Sequence, residues 1–529
     1  MNKQLVFALV VWAGLLALPF ALRPKEPGRS DTPADKLVIV SAHNKAIRDE
    51  YARAFGNYYY RKHGRRIELD FRNLGGTSDI VRYIAARFES EFRNYWEARH
   101  PGQWSRDIAN AFANPRISPD DPRVPPLQRM ARREFLASEI GIGIDLLAGG
   151  GTFDHSRHAA QGFAVDGKVR ERHPEYFAEN VIPHRFGGDS LYDDRGRYYG
   201  VVLSTFGICY NADRLREMRD RRPPETWADL GAPRFFNTLA VADPTKSGSA
   251  NKCFEIVLQQ AMSDAGSPEA GWGPGLSLIK RIFANARNIS DSAAKVVRDV
   301  GDGDAAVGMA IDTYGISEQF WSARVFGGRA RCFYVTPRGG TAVSADPVQM
   351  LRGAPHRAAA QEFIDFLLSK EGQKLHCFKV GMPGGPVVNA LNRPPVRRDL
   401  YGPEYRACRF VPDYDPYKSG ADFVYHPQWT GRYFNLLRVL FKCIAIDPHV
   451  ELVAAWRAIC EAGGPERVPQ AMREFEQLPF SYAEAAAAVA ALRITEGRTS
   501  ADVAAVVRKW SDFSRRHYIE AARLAREGK

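Results

Sequence analysis

Three times in this chain a short strand runs into a loop of glycine or small polar residues and then directly into a helix. The strands are Lys36–Ser41, Ile67–Phe71 and Thr238–Ala242, and the loops are Ser41-Ala42-His43-Asn44, Gly75-Gly76-Thr77-Ser78 and Asp243–Ser249. Strand, tight loop, helix is the repeating unit of α/β proteins with open, largely parallel sheets. In such sheets the loops at the carboxyl ends of the strands converge, and the unpaired N–H groups of the helix starts face a common space. That space suits anions, because the donors and the positive ends of the helix dipoles act together. Plain N-capping accounts for any one loop. Three in one chain point to a site.

Around these units the chain leaves one lobe, builds a second and returns. A strand at Ile142–Ala148 ends in Gly149-Gly150-Gly151, an irregular piece spans 152–198, and the next strand runs Gly200–Tyr210. After a Pro-rich turn come the helix Ala250–Asp264, helices at 276–286 and 291–300, and a strand at Ala306–Ile311. The strand Arg331–Thr336, the loop Gly339–Ser344 and the helix Arg357–Ser369 form the return. This predicts a first lobe from 36–205 and 331–390 and a second from 206–330. Residues 89–135, rich in Arg, Pro and Trp, read as a surface insertion. Residues 391–529 read as a mostly helical extension, in which Val503, Val506, Val507, Trp510 and Phe513 mark one apolar face of a helix at Thr499–Arg526.

The first residues have a different character. Met1-Asn2-Lys3 precedes an uncharged run, Leu5–Leu22, which Arg23-Pro24-Lys25-Glu26-Pro27 ends. Residues 1–22 are read as a signal peptide or membrane anchor and 23–35 as a linker, with Lys3 kept inside and the rest exported. Phe20-Ala21-Leu22 is a poor small-x-small cleavage site, so retention and removal both fit. The seven cysteines include no C-x-x-C, which removes zinc-ribbon and thioredoxin readings. An exported compartment permits disulfides, an odd count leaves at least one thiol unpaired, and the apolar strings around most of them mark small buried hydrophobes. The 529 residues carry 73 Lys and Arg against 61 Asp and Glu, a formal +12 without a long basic run. Such a balance suits acidic partners or an anionic surface and does not indicate nucleic acid.

Several stretches together resemble a known family. Gly200-Val201-Val202-Leu203-Ser204-Thr205-Phe206-Gly207-Ile208-Cys209-Tyr210-Asn211, Pro224-Glu225-Thr226-Trp227-Ala228-Asp229-Leu230 and Ala242–Ser249 look like type 2 periplasmic solute-binding proteins of ABC importers. The late stretches Pro337–Pro347, Leu351–His356 and Phe363–Gln373 resemble the same pattern, most nearly its ferric-iron branch. The resemblance covers about 36–390. It implies a type 2 periplasmic-binding-protein fold, two α/β lobes joined by crossover strands at Val201–Tyr210 and Arg331–Thr336 and closing by a hinge on a ligand. It also implies periplasmic or cell-surface location and an importer permease on another chain. On that map Ser41, Asn44, Thr77 and Ser78 face the ligand from the first lobe, Thr205 sits at the hinge, and Ser247, Ser249, Asp312 and Tyr314 face it from the second. The protein is then no enzyme and has no cofactor, ferric ion entering only as cargo.

The ferric branch uses two adjacent tyrosines after the late strand of the second lobe, whose phenolates suit a hard trivalent ion. Here the stretch is Gly308-Met309-Ala310-Ile311-Asp312-Thr313-Tyr314-Gly315, with one tyrosine. A small oxyanion-bearing or polyhydroxylated solute is therefore favoured over naked ferric ion. Hydrolase, P-loop, zincin and EF-hand motifs are absent. The alternatives are an exported hydrolase built from Ser41, His43 and Asp145, and a scaffold or sensor acting through the C-terminal helices. His155 and His158 are read as a solvated loop pair.

Overall fold

The computed structural model describes residues 35–220, 222–493 and 499–529. The signal or anchor at 1–22 and nearly all of the linker lie outside the described residues. Strand β1 (Asp35–Ser41) leads to helix α1 (Lys45–His63), and β2 (Ile67–Arg72) to α2 (Thr77–Arg99). The Asn44 side chain caps α1 by accepting the Ile47 N–H, and Gly64, in the left-handed region, ends it. Helices α3 (Arg106–Ala111) and α4 (Pro126–Ala137) follow, then β3 (Leu146–Ala148), α5 (Thr152–Gln161) and β4 (Ala164–Val165). A small hairpin, β5 (Arg185–Phe186) with β6 (Asp189–Ser190), precedes β7 (Tyr199–Ser204).

The first sheet has the order β2-β1-β3-β13-β4, with β7 on β13 (Ser344–Leu351). The pairs β1–β2 and β1–β3 are parallel, whereas β13 runs against β3, β4 and β7. Both faces are covered, as parallel strands require. Leu37 and Ile39 pack with Tyr51, Phe55 and Phe363 on one side, Val38 and Val40 with Ile80, Ile84 and Phe88 on the other.

Residues 89–135 are not a surface insertion. Phe88, Phe92 and Trp96 recur every four residues on α2, which puts them on one helical face. With Phe112 and Phe135 they form a fully packed aromatic core under the sheet. Most of the arginines that suggested exposure lie on the outside, but Arg132 is buried and donates to the carbonyls of Phe112, Gln161 and Ala160. Likewise 152–198 is not wholly irregular, since α5 lies within it.

The second lobe starts with β8 (Phe206–Asn211), separated from β7 by Thr205 alone. It contains β9 (Leu239–Ala242), α6 (Gly248–Asp264), α7 (Pro268–Ala284), β10 (Ala286–Ser290), α8 (Ala293–Asp302), β11 (Val307–Ile311), α9 (Asp312–Val325) and β12 (Cys332–Val335). The sheet order is β10-β9-β11-β8-β12. Here the lobe boundary moves. β12 pairs antiparallel with β8, Cys332 opposite Asn211 to Val335 opposite Ile208, so it belongs to the second lobe and the chain returns at 336–343. The Thr341 hydroxyl in that return accepts the Phe206 N–H at 2.9 Å, tying the two crossings together. Strand β13, central in the first sheet, and β10 are among the elements sequence reading missed.

After α10 (Arg357–Leu368) and α11 (Lys370–Cys377) the chain stays on the first lobe, where Leu203 and Pro394 share a backbone hydrogen bond. Only then does it cross to the second lobe and become helical, as α12 (Phe434–Phe441), α13 (His449–Glu461), α14 (Pro469–Glu476), α15 (Ala485–Ala491) and α16 (Ser500–Arg526). These helices share one core with α6 and α7: Phe441 lies on Phe254, and Phe480 and Tyr482 on Trp272. The buried face of α16 runs from Trp510 through Ser511 and Ser514 to Tyr518 and Leu524, while Val503 and Phe513 are half-buried.

Candidate functional site

The strand-to-helix loops of both lobes meet at a cavity of about 880 Å³. In the first lobe three loops crowd together there. A Cβ at Gly149 would stand 2.8 Å from His43 Nε2, and one at Gly150 2.8 Å from Thr77 Cγ2; both glycines also have left-handed φ, so side chains are doubly excluded. From the second lobe come Gly248 and Ser249, at the start of α6, and Tyr314, near the start of α9.

Of the residues singled out from sequence, Asn44, Thr77, Ser249 and Tyr314 line the cavity. Five do not. Ser41 is fully buried and accepts the His43 N–H. Ser78 lies just outside and accepts a hydrogen bond from Arg438 at 3.3 Å. Ser247 is spent capping α6, accepting the Ala250 N–H. Thr205 and Asp312 are buried in the hinge: one carboxylate oxygen of Asp312 accepts the Thr205 N–H at 3.0 Å and the Tyr414 hydroxyl at 2.8 Å. Burial raises the Asp312 carboxyl to about 6, with these hydrogen bonds pulling the other way.

The charged lining was not foreseen. Arg393 is 7% exposed and ion-paired with Asp346. Asp346 also accepts from His43 Nε2 at 3.0 Å, and burial, followed by the charges of Arg393 and Arg48, holds His43 well below its ordinary value and neutral. Lys252 pairs with Glu255 at 3.0 Å. Arg185, Arg432 and Arg438 have no carboxylate within ion-pairing distance among the described residues. Arg432 and Arg438 lie beyond the stretch that carried the family resemblance. The one available signal was an arginine inside the apolar run Phe434-Asn435-Leu436-Leu437-Arg438-Val439-Leu440-Phe441.

The hydrolase arrangement does not form. Asp145 is buried away from His43, accepting the N–H groups of Val38 and His356 at 2.8 and 2.6 Å and the His356 ring at 2.9 Å. His155 and His158 are not solvated but fully buried on α5, one bonded to the Gly149 carbonyl and the other to Gln349. Burial pushes them down to about 4 and about 3. All seven cysteines are free thiols. Among the described residues no three His, Cys, Asp or Glu side chains gather as a metal site, and no helix is long and apolar enough to cross a membrane.

Residues 162–415 match the family of bacterial extracellular solute-binding proteins. That match takes in parts of both lobes and the return between them. Among curated relatives, an uncharacterized protein of Haemophilus influenzae is 25% identical over 230 residues, 43% of this chain and 59% of its own. The phosphoglycerate transport regulatory protein PgtC of Salmonella typhimurium is 28% identical over 181 residues, 34% of this chain and 41% of its own. The chain thus spans about half the length of the curated relatives it matches. Among solved structures, the periplasmic binding protein AfuA from Actinobacillus pleuropneumoniae, bound to fructose-6-phosphate, is 18% identical with a TM-score of 0.47, covering 76% of this chain and 98% of its own. Iron-bound HitA from Pseudomonas aeruginosa is 15% identical with a TM-score of 0.47, covering 77% and 98%.

Proposed function

We propose that this protein is an exported solute-binding protein that captures a small anionic solute between its lobes and presents it to the permease of an ABC importer, which is another chain. The observation that carries this is the cleft itself: Arg185, Arg432 and Arg438 line it, none within ion-pairing distance of a carboxylate among the described residues, beside the helix starts at Thr77 and Gly248. A ligand that touches both lobes favours the closed arrangement by its differential affinity, which is how capture becomes a signal to a permease. The relative named for phosphoglycerate transport agrees with an anionic cargo. The apolar run at Leu5–Leu22 supports export to the periplasm or cell surface, with this segment removed or kept as an anchor.

A thermal-shift screen of the chain from about residue 35 tests the reading. A ligand present at about 100 times its Kd stabilises the native state by about 2.7 kcal/mol. Small organic anions are expected to raise the melting temperature while neutral sugars do not. Strong stabilisation by ferric citrate that Tyr314→Phe abolishes overturns this in favour of a metal cargo. Recovery of the full chain in the cytosol removes the export reading altogether.

A further inference from the structure

The family match ends at residue 415, yet the wall of the cleft continues past it through Tyr425, Arg432, Phe434 and Arg438. These residues are held firmly by the second lobe. Asn251 of α6 donates to the Phe434 carbonyl at 3.0 Å, and Leu437, Leu440 and Phe441 are sunk in the core that α6 and α7 share with the extension. From this base Arg438 reaches across: its Nη1 donates to Ser78 Oγ of the first lobe at 3.3 Å, and its Nη2 lies beside the start of α6, 3.7 Å from where a Cβ on Gly248 would be.

The charge on Arg438 is only partly offset, by Asp154, which lines the same cavity beyond ion-pairing distance. Arg393 and Lys252 line the same cavity but each has a carboxylate. Arg438 is half-buried, its Nε is buried without a partner, and no carboxylate stands within ion-pairing distance among the described residues. Holding a guanidinium out of water without a directly paired counter-charge is costly, and its planar fork is shaped for an oxyanion. Arg432 and Arg185, more exposed, add to the same excess. A carboxylate supplies one negative charge; a phosphate monoester supplies about 1.5 to 2 and three acceptor oxygens. A cavity of about 880 Å³ is far larger than a phosphate group needs, which leaves room for an organic body.

We propose that the C-terminal extension is part of the binding site, and that Arg438, assisted by Arg432 and Arg185, forms a subsite for the phosphate group of an organic phosphomonoester whose remainder lies between the lobes. This rests on the reading of the cleft as the ligand site. The loading of cargo then depends on a segment outside the family match.

Titration calorimetry of the full chain tests it with 3-phosphoglycerate, glycerol 3-phosphate and fructose 6-phosphate, each beside its dephosphorylated parent. The wild type is expected to bind at least one phosphomonoester about 100-fold more tightly than its parent. Arg438→Gln is expected to remove at least tenfold of that preference while leaving the affinity for the parent unchanged. Ser78→Ala, which cuts the tie to the first lobe but keeps the charge, is expected to retain it. Should Arg438→Gln fail to fold, Arg432→Gln must narrow the same preference. An equal loss for ester and parent would mean that Arg438 acts only structurally and overturns the proposal, as does an unchanged preference; in both cases the cleft reading survives. If ferric citrate binds and none of the phosphomonoesters does, both fail.

Discussion

The ring of Phe434 lies 4.9 Å from that of Phe153, the first carried by the extension on the second lobe and the second by α5 of the first lobe. Both line the cleft, so the pair bridges its two walls. An aromatic contact of this kind contributes about 0.5–1.5 kcal/mol beyond area burial. Phe434→Ala is therefore expected to shift the open-to-closed balance by about two- to tenfold. Stopped-flow measurement of ligand release checks it, with faster release expected. Unchanged release would show that the contact does not bias closure.

Arg393 and Asp346 make the largely buried ion pair of the cleft, 7% and 15% exposed. Removing one member leaves the other charge buried and alone, which costs about 3–5 kcal/mol, whereas replacing both by apolar groups is nearly neutral. Arg393→Met is expected to lower stability by about that amount in denaturant unfolding, and Arg393→Met with Asp346→Leu to regain most of it. A double variant as unstable as the single one would refute the pairing as the cause.

Asp312 couples the hinge to pH. Its carboxyl is raised in the folded protein to about 6 from the ordinary 3.8, so the native state holds a proton that the unfolded chain releases. Its contribution is fully present below pH 3.8 and is lost as pH rises toward 6. Asp312→Asn, which does not titrate, is expected to show its largest stability deficit against wild type near pH 4 and a smaller one at pH 7. A constant difference between the two melting curves across that range would contradict this.

The lobes were legible because strand and loop lie side by side in the chain: the small-residue loops after β1, β2 and β9 are local signals, whereas the break at Thr205 between β7 and β8 was read through as one strand, Gly200–Tyr210, and Thr205 reached the hinge only through the resemblance. What was illegible depends on distant partners. Strand β13 was given no element because Asp346 and Pro347 interrupt its apolar run, and its register on β7 shifts between those two residues. Nothing near Asn392-Arg393-Pro394 signals that Arg393 meets Asp346, 47 residues earlier, in the cleft. Asp312 was misplaced for the opposite reason. Tyr314, two residues on, does line the cavity, but two residues' rotation at the start of α9 turns the carboxylate into the hinge.

Lys280 fixes the extension to the second lobe at a point that senses alkaline pH. Fully buried on α7, it donates to the carbonyls of Phe475 and Gln477 at 3.0 and 2.6 Å, and burial lowers it to about 7 from 10.5. In the window between those values the unfolded chain binds the proton more readily than the folded one, so stability rises from pH 7 towards 10.5 and falls as pH drops through 7. Lys280→Met is expected to abolish that rise, read as the slope of melting temperature on pH.

A cut after residue 390 is expected to leave the second lobe unable to fold in soluble form. Its helices have no independent core on that side: Phe254 is covered by Phe441, and Trp272 by Phe480 and Tyr482. Trp456 donates to Asn285, whose own amide donates to the Leu230 and Ala232 carbonyls, so the cut also orphans a buried network. Uncovering aromatic side chains of this size costs about 1.5–3 kcal/mol each, and three or four together equal the whole stability of a typical domain. Expression of residues 35–390 beside 35–529 decides it, scored by soluble yield and by dye binding to exposed apolar surface. A soluble, cooperatively melting 35–390 fragment would show that the extension is a separable appendage rather than part of the lobe it covers.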